Sequence, residues 1–525
     1  MECSCVHHTL IPGTSRLFVD YLYDFNRVEK FFPAHFSDFD ALMRSARAIE
    51  YPEARRAQIT SALRKQNGES PALSELARPG TVAVVTGQQV GLFSGPVYTV
   101  FKALTAVRLA EQLKQQGISA VPVFWLATED HDLLEVDHAW IFNRDAQPSK
   151  VAVTSTVING GPVGNVELTD VPIGELRSGL GELPFADEIV ERVAAAYKSG
   201  VTLGAAFRSF LQDILKEFDL VYLDPLAPEI REIAAEFMRE TIDRVPSLVP
   251  ALKQRDKELA EAGYHAQVLV EDDTSLLFLL SQGKRTAIRW KDGNFVSRDR
   301  SYTPAELKAV ANQISPNALL RPVMQDFLLP TASYVGGPAE IAYLAQSQVL
   351  YERMLGRMPL IYPRNSFTLL DSRAAKLLGR FRLEVPDILD YQEKVKSRIA
   401  AQLVPPGLTD EFAALRSGIS SSLSQVQSSL NRFDPTLEAS TKKTAAKVLY
   451  QVDKLCRKTA QESLRRDERA TRDAAYLTNL IYPHRHLQER FYSIVPFLAE
   501  HGLNLPGRLF AQTQLACPDH MVRTI

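Results

Sequence analysis

Three short stretches of this sequence concentrate the residue types that do chemistry. The first runs from Glu129 through Asp130 and His131 to Asp132, three carboxylates and an imidazole in consecutive positions. Crowded acids repel one another and shift their protonation, which suits acid–base work or the binding of a cationic group. Glu135, Asp137 and His138 extend the cluster. A metal site is an alternative, although adjacent spacing lacks the i, i+4 logic of HExxH; an exposed polar loop is another. The second stretch, Thr86 to Pro96, carries Gly87, Gln88, Gln89, Gly91 and Gly95. Glycines let a backbone approach a ligand closely, and a proline at a helix start leaves free N–H groups that attract anions. Tyr98 and Lys102 follow four residues apart, so they share a helix face and Lys102 can meet a phosphate or carboxylate. The stretch is neither a Walker A motif nor GxGxxG, and a plain strand-to-helix turn would use the same glycines. The third, Tyr334 to Glu340, repeats the geometry with Gly336, Gly337 and Pro338. Glu340 falls at N3 of the following helix, where it supports the helix end and could meet an amine. Arg364, after a short apolar run, is a cation well suited to phosphate.

Elements of one kind must hold these stretches. Val82–Val85, Val121–Leu126, Leu220–Leu223, Ser333–Val335 and Leu360–Tyr362 are short apolar runs that predict buried strands. Helical patterns between them predict βαβ crossovers, hence parallel strands. Ligands in such sheets bind outside the carboxyl ends of the strands, where all three stretches fall. Gln267–Val270, Leu276–Leu280, Ala287–Trp290 and Phe295–Ser297 predict antiparallel ribbons. His265, before the first of them, reads as structural. The expected organisation is an N-terminal helical segment (1–80), an open α/β core (81–370) with insertions near 145–215 and 265–320, a helical region (371–480) and a C-terminal segment packing on the core (481–525).

Beyond residue 371 strand signals vanish. Phe412, Leu415, Ile419, Leu423, Val426, Leu430 and Phe433 are spaced 3, 4, 4, 3, 4 and 3, and Thr441, Ala445, Val448, Val452, Leu455 and Thr459 continue the alternation. That period averages about 3.5 and marks a coiled-coil seam. Asp434-Pro435 supplies a cap and a first-turn proline for a second helix, so the two fold back as a hairpin. Such an arm can pair with its symmetry mate, which predicts a homodimer; a hairpin lying on its own core is the other possibility.

Length and charge bound the rest. The 525 residues suggest about three domains or one core with large insertions. Lys plus Arg is 60 and Asp plus Glu is 62, so no basic excess points to nucleic acid. Hydrophobic residues at 45% and charged residues at 23% are ordinary globular values. No apolar run reaches the ~18 residues of a membrane span, and no basic-then-apolar leader is visible, so a cytoplasmic protein is expected. Four cysteines are too few for a disulfide framework. Cys3, Cys5, His7 and His8 could catch a metal but read better as a dangling tail.

The chain resembles the BshC family of cysteine ligases of bacillithiol biosynthesis. The stretches that carry the resemblance are TGQQVGLFSGPVYTVFKA, PVFWLATEDHDLLEVDH, GYHAQV, RPVMQDFLLPTASYVGGPAEIAYLAQ and LQERFYSIVPFLAEHGL, in order over nearly the whole chain. The resemblance implies a Rossmann-like core with connecting-peptide insertions, similar to class I aminoacyl-tRNA synthetases, plus a coiled coil that supports dimerisation. It implies transfer of L-cysteine to the amine of glucosaminyl-malate, and binding of an adenine nucleotide (ATP or ADP). The HIGH and KMSKS signatures of those synthetases are absent; Gly91 to Pro96 would stand in the place of HIGH. On this reading, backbone N–H groups at Gly95 to Val97 and Lys102 stabilise charge on phosphorus oxygens. Glu129, Asp130, His131 or Asp132 orients or deprotonates the sugar amine. A nucleotide-binding scaffold without turnover and a generic nucleotidyltransferase are the rival readings.

Overall fold

The computed structural model describes residues 3–153, 160–389 and 392–525. The expected first insertion, the helical region and the tail therefore each include a few residues outside the described set. The chain divides into two compact units, one of residues 4–368 with 489–521, the other of residues 1–3, 369–488 and 522–525.

The larger unit is built on a five-stranded sheet. Its strands are β1 (Val82–Gln89), β2 (Ala120–Ala127), β3 (Val221–Leu223), β4 (Thr331–Gly336) and β5 (Leu360–Pro363). Their order is β5-β4-β1-β2-β3 and every pairing is parallel. Both faces of a parallel sheet are covered, which is why these runs are apolar throughout rather than alternating: Val84, Val85, Val123, Val335 and Ile361 are fully buried. Helix α1 (Tyr98–Gln115) returns the chain from β1 to β2, α2 (Pro228–Glu261) follows β3, and α3 (Pro338–Leu355) joins β4 to β5. From β1 the chain steps outward to β2 and β3, then crosses back to lay β4 on the other side of β1. The order therefore reverses between β1 and β4, the point where open α/β sheets form a ligand crevice.

Two insertions interrupt the core. The first begins earlier than expected, with the antiparallel hairpin His138–Phe142 and Pro148–Ala152, and continues through helices Ile173–Leu180, Ala186–Ala196 and Leu203–Ile214. The second is a five-stranded antiparallel sheet spanning Thr274 to Pro316. Residues 267–270, expected as a strand, have no strand partner. Gln346 takes that place, its side-chain oxygen accepting from the N–H of Gln267 and Val268 while its Nε2 donates to the Val268 carbonyl. The N-terminal helices pack into the core rather than beside it: Leu17, Tyr21, Ile59 and Leu73 share one apolar cluster with the sheet. Nor does the tail dangle, since Cys3–Val6 is a strand and His8 is buried.

The smaller unit is helical. Helices α4 (Pro406–Phe433) and α5 (Glu438–Arg466) form the expected hairpin, each about 42 Å long. Asp434 accepts from the Thr436 N–H at the turn, and Arg416 pairs with Asp453 across the two helices at 3.0 Å. The seam is only half covered: Leu415, Val426, Phe433, Val448 and Leu455 are exposed. No helix is long and apolar enough to cross a membrane among the described residues.

Candidate active site

A cavity of about 610 Å³ opens at the carboxyl ends of β1, β2 and β4. Lys102, Glu129, Asp130, His131 and Glu340 all line it, so the three stretches singled out in the sequence converge. Gly87, Gln88, Gln89, Tyr98, Gly337 and Arg364 also reach its walls. Asp132 does not; it is exposed in the loop beyond. Gly91, Gly95 and Gly336 shape the turns without facing the cavity.

Strand β1 runs further than expected and carries Gly87, Gln88 and Gln89 as its last residues. Gly87 is required there, because a Cβ would come within 2.8 Å of the Trp125 carbonyl oxygen on β2. Its own carbonyl accepts from Lys102 Nζ at 2.8 Å. Lys102 also donates to Gln88 Oε1 at 3.0 Å and pairs with Glu340 at 2.5 Å. Lysine can only donate, so the Gln88 amide is oriented with its Nε2 outward, and that nitrogen donates to Tyr98 Oη at 3.1 Å. On the other side, Gln89 Nε2 donates to Asp130 at 2.6 Å. The two neighbouring glutamines thus tie β1 to the lysine–phenol side and to the acidic side of one cavity.

Glu340 stands at N3 of α3, where its Oε2 accepts from the Gly337 N–H at 2.8 Å and its Oε1 from Tyr334 Oη at 2.6 Å. Burial opposes its ionisation, yet Lys102 and these donors hold its carboxyl below the usual range. Burial also draws the Lys102 ammonium down, against the pull of Glu340. Glu129 is buried and pushed up by desolvation, with Arg231 opposing at 2.7 Å. Arg364 is buried against Glu489, at 2.6 and 2.9 Å, and Glu489 further accepts from Ser366 Oγ and the Phe367 N–H. Burial pushes the Tyr98 phenol above its ordinary range, while Arg490 and Arg364 pull the other way.

His131 faces Arg285, whose Nη1 lies 3.1 Å from its Nδ1. A guanidinium can only donate, so Nδ1 accepts and the ring proton sits on Nε2. As placed, His131 offers a donor to the cavity rather than a base.

One sequence expectation is corrected here. The first glycine turn is not a cradle of free N–H groups. The Gly95 N–H is bonded to Leu92 O and the Val97 N–H to Tyr492 O at 2.7 Å, and α1 starts at Tyr98 rather than at Pro96. Phe93 and Ser94 adopt left-handed φ of 52° and 69°, held by Tyr197 Oη, which accepts from the Ser94 N–H and donates to the Gly91 carbonyl. The turn is a locked scaffold. The Gly337 N–H is likewise occupied by Glu340. Among the described residues no group of three or more His, Cys, Asp or Glu is placed to hold a metal ion.

Sequence reasoning passed over several wall residues. Trp125 and Tyr334 lie in apolar runs that predict buried strands, and Tyr343 and Arg490 lie on helices with no chemical pattern of their own. Arg285 sits on the second strand of an insertion, stacked 3.8 Å over Phe278, where no local spacing points to the distant acidic cluster.

The model of the Bacillithiol biosynthesis BshC N-terminal Rossmann-like domain matches residues 1–365, and that of the BshC C-terminal coiled-coil domain matches residues 367–525. A relative from Solibacter usitatus, named "Putative cysteine ligase BshC", is 49% identical over 525 residues, covering 100% of both chains. Relatives of the same name from Koribacter versatilis and Salinibacter ruber are 36% and 31% identical, with 99% and 93% of this chain covered and 99% and 92% of theirs. With a Rossmann-like sheet and a coiled-coil hairpin each where a family model places it, the chain belongs to the BshC family.

Proposed function

We propose that this protein is a ligase that joins the carboxyl carbon of L-cysteine to the amine of glucosaminyl-malate, forming the amide of bacillithiol in the cytoplasm. The observation that carries this reading is the meeting of Asp130, His131, Lys102 and Glu340 in one cavity at the switch point of the sheet. The attacking amine must be neutral, and it loses a second proton as the amide forms. Asp130 is the carboxylate placed to take it: it is half-buried on the cavity wall and anchored by Gln89, whereas Glu129 is held by Arg231. His131 Nε2–H is the donor for the oxygen on which negative charge develops at the cysteine carbonyl, while Lys102, whose three protons are taken by Gly87, Gln88 and Glu340, fixes the wall around it.

Amide formation breaks a C–O bond of the cysteine carboxylate, and an adenine nucleotide, part of the proposal, would supply the energy by turning that oxygen into a phosphate or adenylate leaving group. The first glycine turn does not fit a phosphate cradle, since the N–H groups of Ser94, Gly95 and Val97 are bonded within the protein, and in the second the Gly337 N–H is taken by Glu340. Homodimerisation through α4 and α5 is also proposed, supported by the apolar residues left exposed along the hairpin. Sedimentation would then report a dimer that Leu415→Glu with Val448→Glu dissociates.

The test is purified protein incubated with L-cysteine, glucosaminyl-malate and ATP, followed by mass spectrometry for the amide and for AMP or ADP. The expected result is product from the wild type and at least 100-fold less from Asp130→Asn, whose amide side chain cannot accept the proton. Ligand binding with no turnover would replace the ligase reading by that of a scaffold.

A further inference from the structure

The charges of the cavity do not balance. Three carboxylates in or just behind its walls are each matched by a cation: Glu129 by Arg231, Glu340 by Lys102 and Glu489 by Arg364. What remains is Asp130 against Arg285, Arg321 and Arg490. Arg285 bonds to His131, Ser315 and the Pro316 carbonyl, and Arg321 to Gln325, Tyr334 and Tyr343; neither bonds to a carboxylate. Arg490 is exposed at the cavity and has no hydrogen bond or ion pair among the described residues. With the acids ionised, the surplus is two positive charges, the complement of a dianion.

The hydrogen-bond directions say where one anionic group would sit. Glu340 holds Lys102, Lys102 orients the Gln88 amide, and that amide donates to Tyr98 Oη. The phenol oxygen is used as an acceptor, so its own proton is left to donate into the cavity, whose wall Arg490 also lines.

We propose that Tyr98 Oη and the Arg490 guanidinium form a carboxylate-binding subsite, with Arg321 as the second free cation, and that this subsite reads the dicarboxylate end of the sugar acceptor. The assignment rests on the reading of the acceptor as glucosaminyl-malate. It also gives that substrate a polarity: carboxylates on the Tyr98 side of β1, amine on the Asp130 side. The local surplus beside Tyr98 is a single charge, because Arg364 and Lys102 are already neutralised, which matches a carboxylate better than a doubly charged phosphate.

Calorimetric binding to the full-length protein tests it, with three probes: glucosaminyl-malate, methyl glucosaminide (the same amino sugar without carboxylates) and ADP. A charge-assisted hydrogen bond of about 1.5–3 kcal/mol corresponds to roughly 10–100-fold in affinity. Arg490→Met is expected to weaken glucosaminyl-malate by that factor, Tyr98→Phe by about tenfold, and Arg490→Lys to recover part of the loss, while methyl glucosaminide and ADP bind as to the wild type. Equal binding of glucosaminyl-malate to wild type and Arg490→Met overturns the subsite and leaves the ligase reading standing. A loss confined to ADP overturns it in favour of a phosphate. Failure of the wild type to bind either glycoside overturns both.

Discussion

The two glycine–proline turns look like twins in the sequence and do opposite work in the structure. Between β1 and α1, the N–H groups expected to be free are tied to the protein, Gly95 to Leu92 and Val97 to Tyr492, and that of Ser94 is bonded to Tyr197. Between β4 and α3, Pro338 opens the helix as expected and Glu340 caps it, but the same carboxylate reaches out to Lys102 and Tyr334 in the cavity wall. One turn is a clamp that positions Tyr98 and Lys102; the other delivers a charged group. A glycine-rich strand-to-helix turn therefore identifies a place in the fold, and only the partners of its N–H groups decide whether that place binds anything.

This contrast can be broken by substitution. Glu340→Gln removes the charge at the second turn and leaves Lys102 buried without its partner; losing one member of a buried pair costs about 3–5 kcal/mol. Product formation is expected to fall at least 100-fold, and a variant with near-normal turnover would show that the pair only supports the fold. Behind the same wall, Glu489→Gln leaves Arg364 buried and unpaired. Its chemical denaturation midpoint should drop by an amount equivalent to about 3 kcal/mol.

Acid should weaken the same backing layer. His8 and His520 are buried close together, with His520 bonded to Ser366 and Thr368; burial lowers their pKa values to about 3 and about 4. An unfolded histidine binds a proton near pH 6.5. Between that pH and about 4 the unfolded chain therefore holds more protons than the folded one, and stability falls as pH falls. Glu489, held at about 2 against burial chiefly by Arg364, adds a further loss below the ordinary carboxylate range near pH 4.5. Thermal midpoints measured from pH 7 to 4 should decline, and His520→Gln should flatten the slope above pH 4.

The smallest effect is expected at the clamp. Tyr197→Phe removes two hydrogen bonds from the first turn, at a cost of about 1–3 kcal/mol in stability, with KM for both substrates unchanged at 25 °C. A large rise in KM would mean that the first turn meets substrate after all.

Much of this was legible in the sequence, for identifiable reasons. Strands β1 to β5 are apolar on both faces, so they stand out as runs such as Val82–Val85, and their alternation with helices specifies the parallel class. Asp434-Pro435 marks the hairpin by turn chemistry alone. The acidic stretch at the end of β2 and Glu340 at N3 are local patterns, and the structure brings them to one cavity. What could not be read was long-range. Whether the Val97 N–H is free depends on Tyr492, hundreds of residues away in the chain. Gln346 replaces a strand partner for Val268 by a side chain, which no β-propensity anticipates. Arg285 and Arg490 enter the cavity from an insertion and from the C-terminal segment, where periodicity says nothing of their neighbours. Asp132 belongs to the acidic motif by spacing, yet the chain turns away before it reaches the wall.

The most direct test is a crystal structure of the protein soaked with glucosaminyl-malate. The sugar should lie in the cavity between Lys102 and Asp130, its nitrogen within hydrogen-bond reach of the Asp130 carboxylate and its malate against Tyr98 and Arg490. Density for the glycoside outside that cavity, or the amine pointing toward Arg490, would contradict the assignment of this crevice as the place where the amide forms.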